Sequence, residues 1–209
     1  VKKTIDLRGL PCPEPVLRTK KLFDDQSVEA VEALVDDDVC VNNLLRLSRS
    51  IKAQAQSSRG DGYFTVEIAR GAKAQSHSHA AAPQAGSFEK KERREGSKAG
   101  TIIFLSKDTF GGGDPEFSRT LLNLFLQSAL EAGHEPQAIL MANTGVRLMA
   151  RDSAVLPVLN DFRERGCEVL ACGLCVEFYG LKEDIPKEQI TNMFAIVEYL
   201  FAAEKVLSP

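Results

Sequence analysis

Three stretches of this 209-residue chain hold the residues best suited to chemistry. The first is LRGLPCPEP, residues 7 to 15, where Cys12 stands between Pro11 and Pro13 and Pro15 follows two positions on. A buried structural cysteine is a small hydrophobe and needs no flanking prolines. A nucleophilic thiol does need a fixed position and an electropositive neighbourhood, because the thiolate is the reactive form. The second stretch is CGLC, which spaces Cys172 and Cys175 as a C-x-x-C pair. The third is a pair of polar, glycine-bearing loops: Gly111-Gly112-Gly113-Asp114 and Asn143-Thr144-Gly145. No Ser/His/Asp set and no paired-carboxylate arrangement stands out, so enzymatic turnover on a small metabolite is not expected.

The elements that must position these residues can be read from hydrophobic period. Residues 3–7 predict a strand, and residues 13–24 a helix with an apolar face through Val16, Leu17, Leu22 and Phe23. Pro13 suits the first helical position, where its missing N–H costs nothing. Cys12 then falls near the N-cap, where free N–H groups and the helix dipole favour an anion. The same field would favour a persulfide or its selenium analogue. Residues 31–35 predict a second strand. Asp37 or Asp38 can cap the next helix, whose apolar face holds Val41, Leu44, Leu45 and Leu47. The turn signal RGDG then leads into the alternating run YFTVEIA. The order β-α-β-α-β-β in about 70 residues predicts a two-layer sandwich with helices on one face of the sheet.

Residues 71–99 break the pattern. They are rich in Ala, Ser, Gly, Gln and charge, and Phe88 is their single large apolar side chain. Such a composition cannot bury enough surface to offset ordering entropy, so a flexible linker is expected. Residues 100–209 then predict a second domain. Short apolar strands at 101–105, 138–142 and 168–171 alternate with helices at 117–132, 154–165 and 192–204, and Val206-Leu207 suggests a last short strand. Repeated β-α-β units predict a parallel sheet with right-handed crossovers. The loops after its strands should build the functional edge. Gly112, Asp114, Asn143 and Gly145 are the candidate binding residues there. The glycine run lacks P-loop and dinucleotide spacing, and its simpler reading is a turn with Asp114 capping a helix. The 117–132 helix carries a wide apolar arc, which predicts packing on the sheet and on another subunit or domain.

Several function classes are excluded or weakened. The net charge of −3 argues against nucleic acid. No apolar run approaches the length of a membrane span, and the first residues lack the apolar core of a signal peptide. A cytoplasmic location is therefore expected. Five cysteines without a secretory signal do not suggest a disulfide framework. For Cys172 and Cys175 three readings stay open: a zinc site, a thioredoxin-like redox couple, and a persulfide acceptor with a resolving partner. Zinc lacks partners: there is no second C-x-x-C, and of His77, His79 and His134 the first two fall in the linker. No metal and no other cofactor is expected. Cys40, inside the second helix, and Cys167, at a strand start, read as core.

The stretch DLRGLPCPEPVLRTKK resembles the TusA/SirA-like sulfur carriers, whose hallmark is Cys-Pro-x-Pro opening the first helix. Here that is Cys12-Pro13-Glu14-Pro15, with Arg8 and Gly9 in the turn before it. The resemblance implies that Cys12 carries sulfur as a persulfide, received from a cysteine desulfurase-type donor and handed to a downstream acceptor. NTGVRL, CGLCVEFYGL and ITNM resemble the DsrE-like family, which implies a flavodoxin-like fold. The combination resembles the YedF proteins associated with selenium metabolism. It implies a relay from Cys12 to Cys172 or Cys175, with a TusA-like domain over residues 1–70 and a DsrE-like one over 100–209. A thiol–disulfide redox protein and a non-catalytic adaptor are the competing readings.

Overall fold

The computed structural model describes residues 1–11, 13–71 and 100–209, so Cys12 and the expected linker lie outside the described residues. In the first half, β1 (Lys2–Asp6), α1 (Glu14–Asp24), β2 (Ala30–Val35), α2 (Asp38–Ser50), β3 (Ala53–Arg59) and β4 (Phe64–Arg70) follow the predicted order. The sheet runs β1-β2-β4-β3. β1 and β2 are parallel, and β4 is antiparallel to both β2 and β3. Val16 and Phe23 of α1 and Val41, Leu44 and Leu47 of α2 close on Val31, Ala33, Val35, Val66 and Ile68 of the strands. Asp37 caps α2, its carboxylate accepting the Cys40 N–H at 2.7 Å. The opposite face of the sheet is polar. Glu32 and Glu67 sit directly across from one another, and Lys2 bridges them at 2.6 and 2.7 Å. Like charges in register oppose pairing unless a cation intervenes.

The second half is a flavodoxin-like α/β unit. It contains β5 (Thr101–Leu105), α3 (Pro115–Glu131), β6 (Ala138–Met141), α4 (Leu156–Glu164), β7 (Glu168–Cys172), α5 (Gly173–Phe178), β8 (Ile190–Thr191), α6 (Met193–Ala202) and β9 (Lys205–Leu207). The strands are all parallel, in the order β8-β7-β6-β5-β9. Both faces are covered, which is why these strands read as unbroken apolar runs. Ile103, Leu105, Ile139 and Met141 pack under α3 and α4, while Ile102, Ala138, Leu140 and Leu170 pack with Ile196 of α6. The arc of α3 divides. Leu122, Leu126 and Leu130 are buried, and Phe117 and Leu124 remain exposed. Residues 143–149, predicted only as a loop, form a 3-10 helix. Among the described residues no helix is long and apolar enough to cross a membrane.

The two halves touch through α2, α6 and β8. Arg46 of α2 donates to the Ile190 carbonyl at 2.7 Å and to that of Glu188. Lys187 pairs with Asp38 at 2.8 Å. The Lys20 ammonium lies 4.7 Å from the Phe194 ring, which joins the core of the first half. Beside this contact is a cleft of about 260 Å³, lined by Val16, Asn43, Arg46, Phe194, Glu198 and Tyr199 among others.

Candidate functional site

The turn before α1 is held by local chemistry. Asp6 accepts two bonds from the Arg8 guanidinium, at 2.9 and 2.7 Å, and one from the Arg8 N–H at 3.1 Å. The guanidinium holds the Asp6 carboxyl down at about 2. It also lies over the Tyr63 ring, 5.4 Å from its centre. Gly9 has φ +71°, a conformation that costs other residues a steric penalty, and its N–H donates to the Asp36 carboxylate. Leu7, fully buried, pins the turn to the core. The Pro11 carbonyl accepts the Glu14 N–H at 2.9 Å.

The start of α1 differs by one residue from the expectation. Pro13 is the N-cap, not the first helical residue: its φ and ψ of −100° and 15° are non-helical. Its carbonyl accepts from the Val16 and Leu17 N–H groups at 3.0 and 3.2 Å. Glu14 opens the helix and pairs with Arg18 at 2.7 Å, one turn on. Pro15, buried, occupies the second position, where a missing N–H still costs nothing. The described residues on either side of position 12 are therefore fixed by prolines, a glycine turn and a carboxylate–guanidinium fork. All of the supporting residues singled out, Arg8, Gly9, Pro13, Glu14 and Pro15, belong to this frame.

The second thiol site lies at the C-terminal ends of the parallel strands. Cys172 ends β7 and immediately precedes α5, and Cys175 is in the first turn of α5. Cys172 is buried and Cys175 half-buried. Burial pushes the Cys172 thiol up, against the opposing pull of the Leu174 and Cys175 N–H groups. Cys175 also accepts the backbone N–H of Asn143, 32 residues away, at 3.1 Å. Asn143 can aim its N–H there because it adopts the left-handed conformation, φ +48°. Asparagine tolerates that region better than most residues, and such outliers cluster at sites where geometry is imposed. The Tyr179 hydroxyl donates to Asn143 Oδ1 at 2.8 Å, and the Arg147 guanidinium lies 4.6 Å from the Tyr179 ring centre.

The predicted loop residues separate into two groups. Asn143 stands beside the Cys175 thiol, and Gly145, two residues on, lies against the end of β5. A Cβ on Gly145 would come within 2.1 Å of the Leu105 carbonyl oxygen, so only glycine fits. Asp114 serves the start of α3, accepting the Phe117 N–H at 2.8 Å. Gly112 lies in the turn before it, between Gly111 and Gly113, which adopt positive φ. Sequence reasoning missed Tyr179 and Arg147. Tyr179 had a usable signal, since it lies four residues after Cys175 and so on the same side of a helical turn. The remaining thiols are placed differently. Cys167 is buried and pushed up to about 12 by desolvation, and Cys40 packs at the margin of the first core.

Comparison with known proteins bears on the first half most directly. Residues 3–70 match the family described as sulfurtransferase TusA. A SirA-like protein of Desulfitobacterium hafniense is 32% identical over 34% of this chain and 99% of its own, with a TM-score of 0.32. Through this domain the chain belongs to the TusA/SirA-like sulfur carriers. The TusA-like domain includes the whole frame around position 12 and ends at Arg70, the last residue of β4. Proteins of this family accept sulfur from a cysteine desulfurase and pass it on. Two further structures are similar to this chain. A conserved protein of unknown function from Bacteroides thetaiotaomicron is 23% identical, over 52% of this chain and 94% of its own, with a TM-score of 0.38. The ychN protein of E. coli is 14% identical, over 52% of this chain and 98% of its own, with a TM-score of 0.39. No curated protein matches the chain.

Proposed function

We propose that this chain is a sulfur or selenium relay. Cys12 takes the chalcogen as a persulfide or perselenide from a cysteine desulfurase-type donor. It passes within the chain to a DsrE-like domain over 100–209, where Cys175, paired with Cys172, accepts it for onward delivery. The observation that carries this reading is the TusA match over residues 3–70, with Cys12-Pro13-Glu14-Pro15 at the helix start. The second thiol pair supports the relay, because a half-buried thiol backed by a buried one suits an acceptor with a resolving partner. The combined resemblance of the two halves favours a YedF-like role in selenium metabolism, in a cytoplasmic setting.

The test is mass spectrometry of the full chain after incubation with a cysteine desulfurase and cysteine. One added sulfur atom on Cys12, absent in Cys12→Ser, is expected. Later appearance of the label on Cys175 is expected in the wild type and not in Cys12→Ser. An adduct unchanged in Cys12→Ser overturns the reading. The same experiment with a selenium donor decides the cargo.

A further inference from the structure

We propose a second activity for the thiol pair: Cys172 expels the chalcogen from Cys175 as hydrosulfide or hydroselenide, so that delivery is reductive. The proposal deepens the relay reading, since it requires that Cys175 accept a sulfane sulfur.

Three features of the structure point to it. First, the two thiols are neighbours: Cys172 ends β7, Cys175 lies three residues on in α5, and both pack in the core under α6. Second, their exposures are unequal. Cys172 is 2% exposed and packs with Leu140, Leu170 and Ile196 in the core under α6. Cys175 contacts both cores and reaches the surface, where its helix neighbours Leu174 and Phe178 are 59% and 80% exposed. Cys172 lies on the core side of Cys175, so the solvent side is where Cys175 would take up an added sulfur. With the added atom there, the Cys175 sulfur would stand between it and the buried thiol, the order that thiol–disulfide exchange requires. Third, the Asn143 N–H at 3.1 Å holds the Cys175 sulfur from a third direction.

The step balances as follows. Cys172–SH and Cys175–S–S⁻ give a Cys172–S–S–Cys175 disulfide and HS⁻. The bond between Cys175 and the added sulfur breaks, and a bond between the two cysteine sulfurs forms. The sulfane sulfur is reduced to sulfide and the two thiols are oxidised. The Cys172 proton, which burial favours keeping until the step occurs, leaves on the departing sulfur. A dithiol reductant then returns the pair to thiols by exchange at the accessible Cys175 sulfur, completing a cycle.

The test loads the full-length Cys12→Ser chain with sodium polysulfide, removes the excess, and traps released sulfide without added reductant. Starting from Cys12→Ser separates this test from the loading of Cys12, so either can fail alone. About one sulfide per chain labelled at Cys175 is expected, rising together with a 172–175 disulfide in the peptide map. Adding Cys172→Ser to this chain should retain the persulfide on Cys175 and release sulfide only when dithiothreitol is supplied. Circular dichroism checks that this variant folds, and disulfide mapping without the second substitution needs no variant at position 172. The proposal is overturned if Cys175 takes up no sulfur, if sulfide appears without the 172–175 bond, or if the persulfide is equally long-lived with and without Cys172.

Discussion

The two thiol sites of this molecule are built by opposite means. Around position 12 the frame is made by residues close in sequence: Asp6 holds Arg8, Gly9 makes the turn, Pro13 caps and Pro15 stiffens. Its distant members are few: Asp36, which receives the Gly9 N–H, and Tyr63, whose ring lies under the Arg8 guanidinium. Around Cys175 the frame is made by residues far apart: Asn143 supplies an N–H across 32 positions, and Gly145 exists to clear the Leu105 carbonyl. A site assembled from short-range contacts forms with its own helix and tolerates change elsewhere. A site assembled across three strands depends on the whole sheet.

That contrast can be broken by substitution. The largest effect is expected from Gly145→Ala, which drives a Cβ into the Leu105 carbonyl and should cost about 3 kcal/mol or more. Thermal unfolding should show the loss, and Cys175 should become more readily alkylated as Asn143 shifts. Gly9→Ala, at positive φ but with open space around it, should cost only about 1 kcal/mol. Equal losses at the two glycines would remove the distinction. Next is Arg46→Ala. It leaves the Ile190 and Glu188 carbonyls without their guanidinium and should cost about 2 kcal/mol, seen in urea unfolding as the two halves separating into distinct transitions.

Smaller effects come from pH. Burial raises the Cys167 thiol to about 12 in the folded state from an ordinary value of 9.0. A raised value means that the folded chain keeps its proton after the unfolded chain has lost it. The fold is therefore fully supported below pH 9 and weakens as pH rises toward 12. At about pH 10 the loss should be about 1 kcal/mol, and Cys167→Ala should flatten this alkaline limb. The smallest effect lies at Asp6, whose carboxyl is lowered from 3.8 to about 2 by Arg8. Its support is present above pH 3.8 and disappears as pH falls toward 2. An NMR titration should show Asp6 returning toward 3.8 in Arg8→Ala.

The difference between the sites also explains what was legible in the sequence. Pro13 and Pro15, the helix they open and the Asp37 and Asp114 caps are local signals, and each falls within a residue or two of its expected place. Pro13 moved by one position because its own φ and ψ fall outside the helical region, which proline spacing alone does not reveal. The order of strands in both sheets and the division of α3 into a buried and an exposed side follow from tertiary packing. At the C-terminal thiols, the C-x-x-C spacing was visible but its environment was not. The donor that matters comes from the backbone of Asn143, and a backbone N–H leaves no mark of residue type. Arg46 gave no signal at all: an arginine on an amphipathic helix reads as solvated, and only the docked second half makes it a half-buried donor.

Arg46 has one more consequence. β8 is two residues long and forms the border of the parallel sheet, where unpaired carbonyls invite a further strand from another molecule. The guanidinium occupies the Ile190 carbonyl, and α2 lies across the strand. The carrier domain therefore acts as a lid on an adhesive border, so a chain cut between its two halves should aggregate through β8 when the intact chain does not.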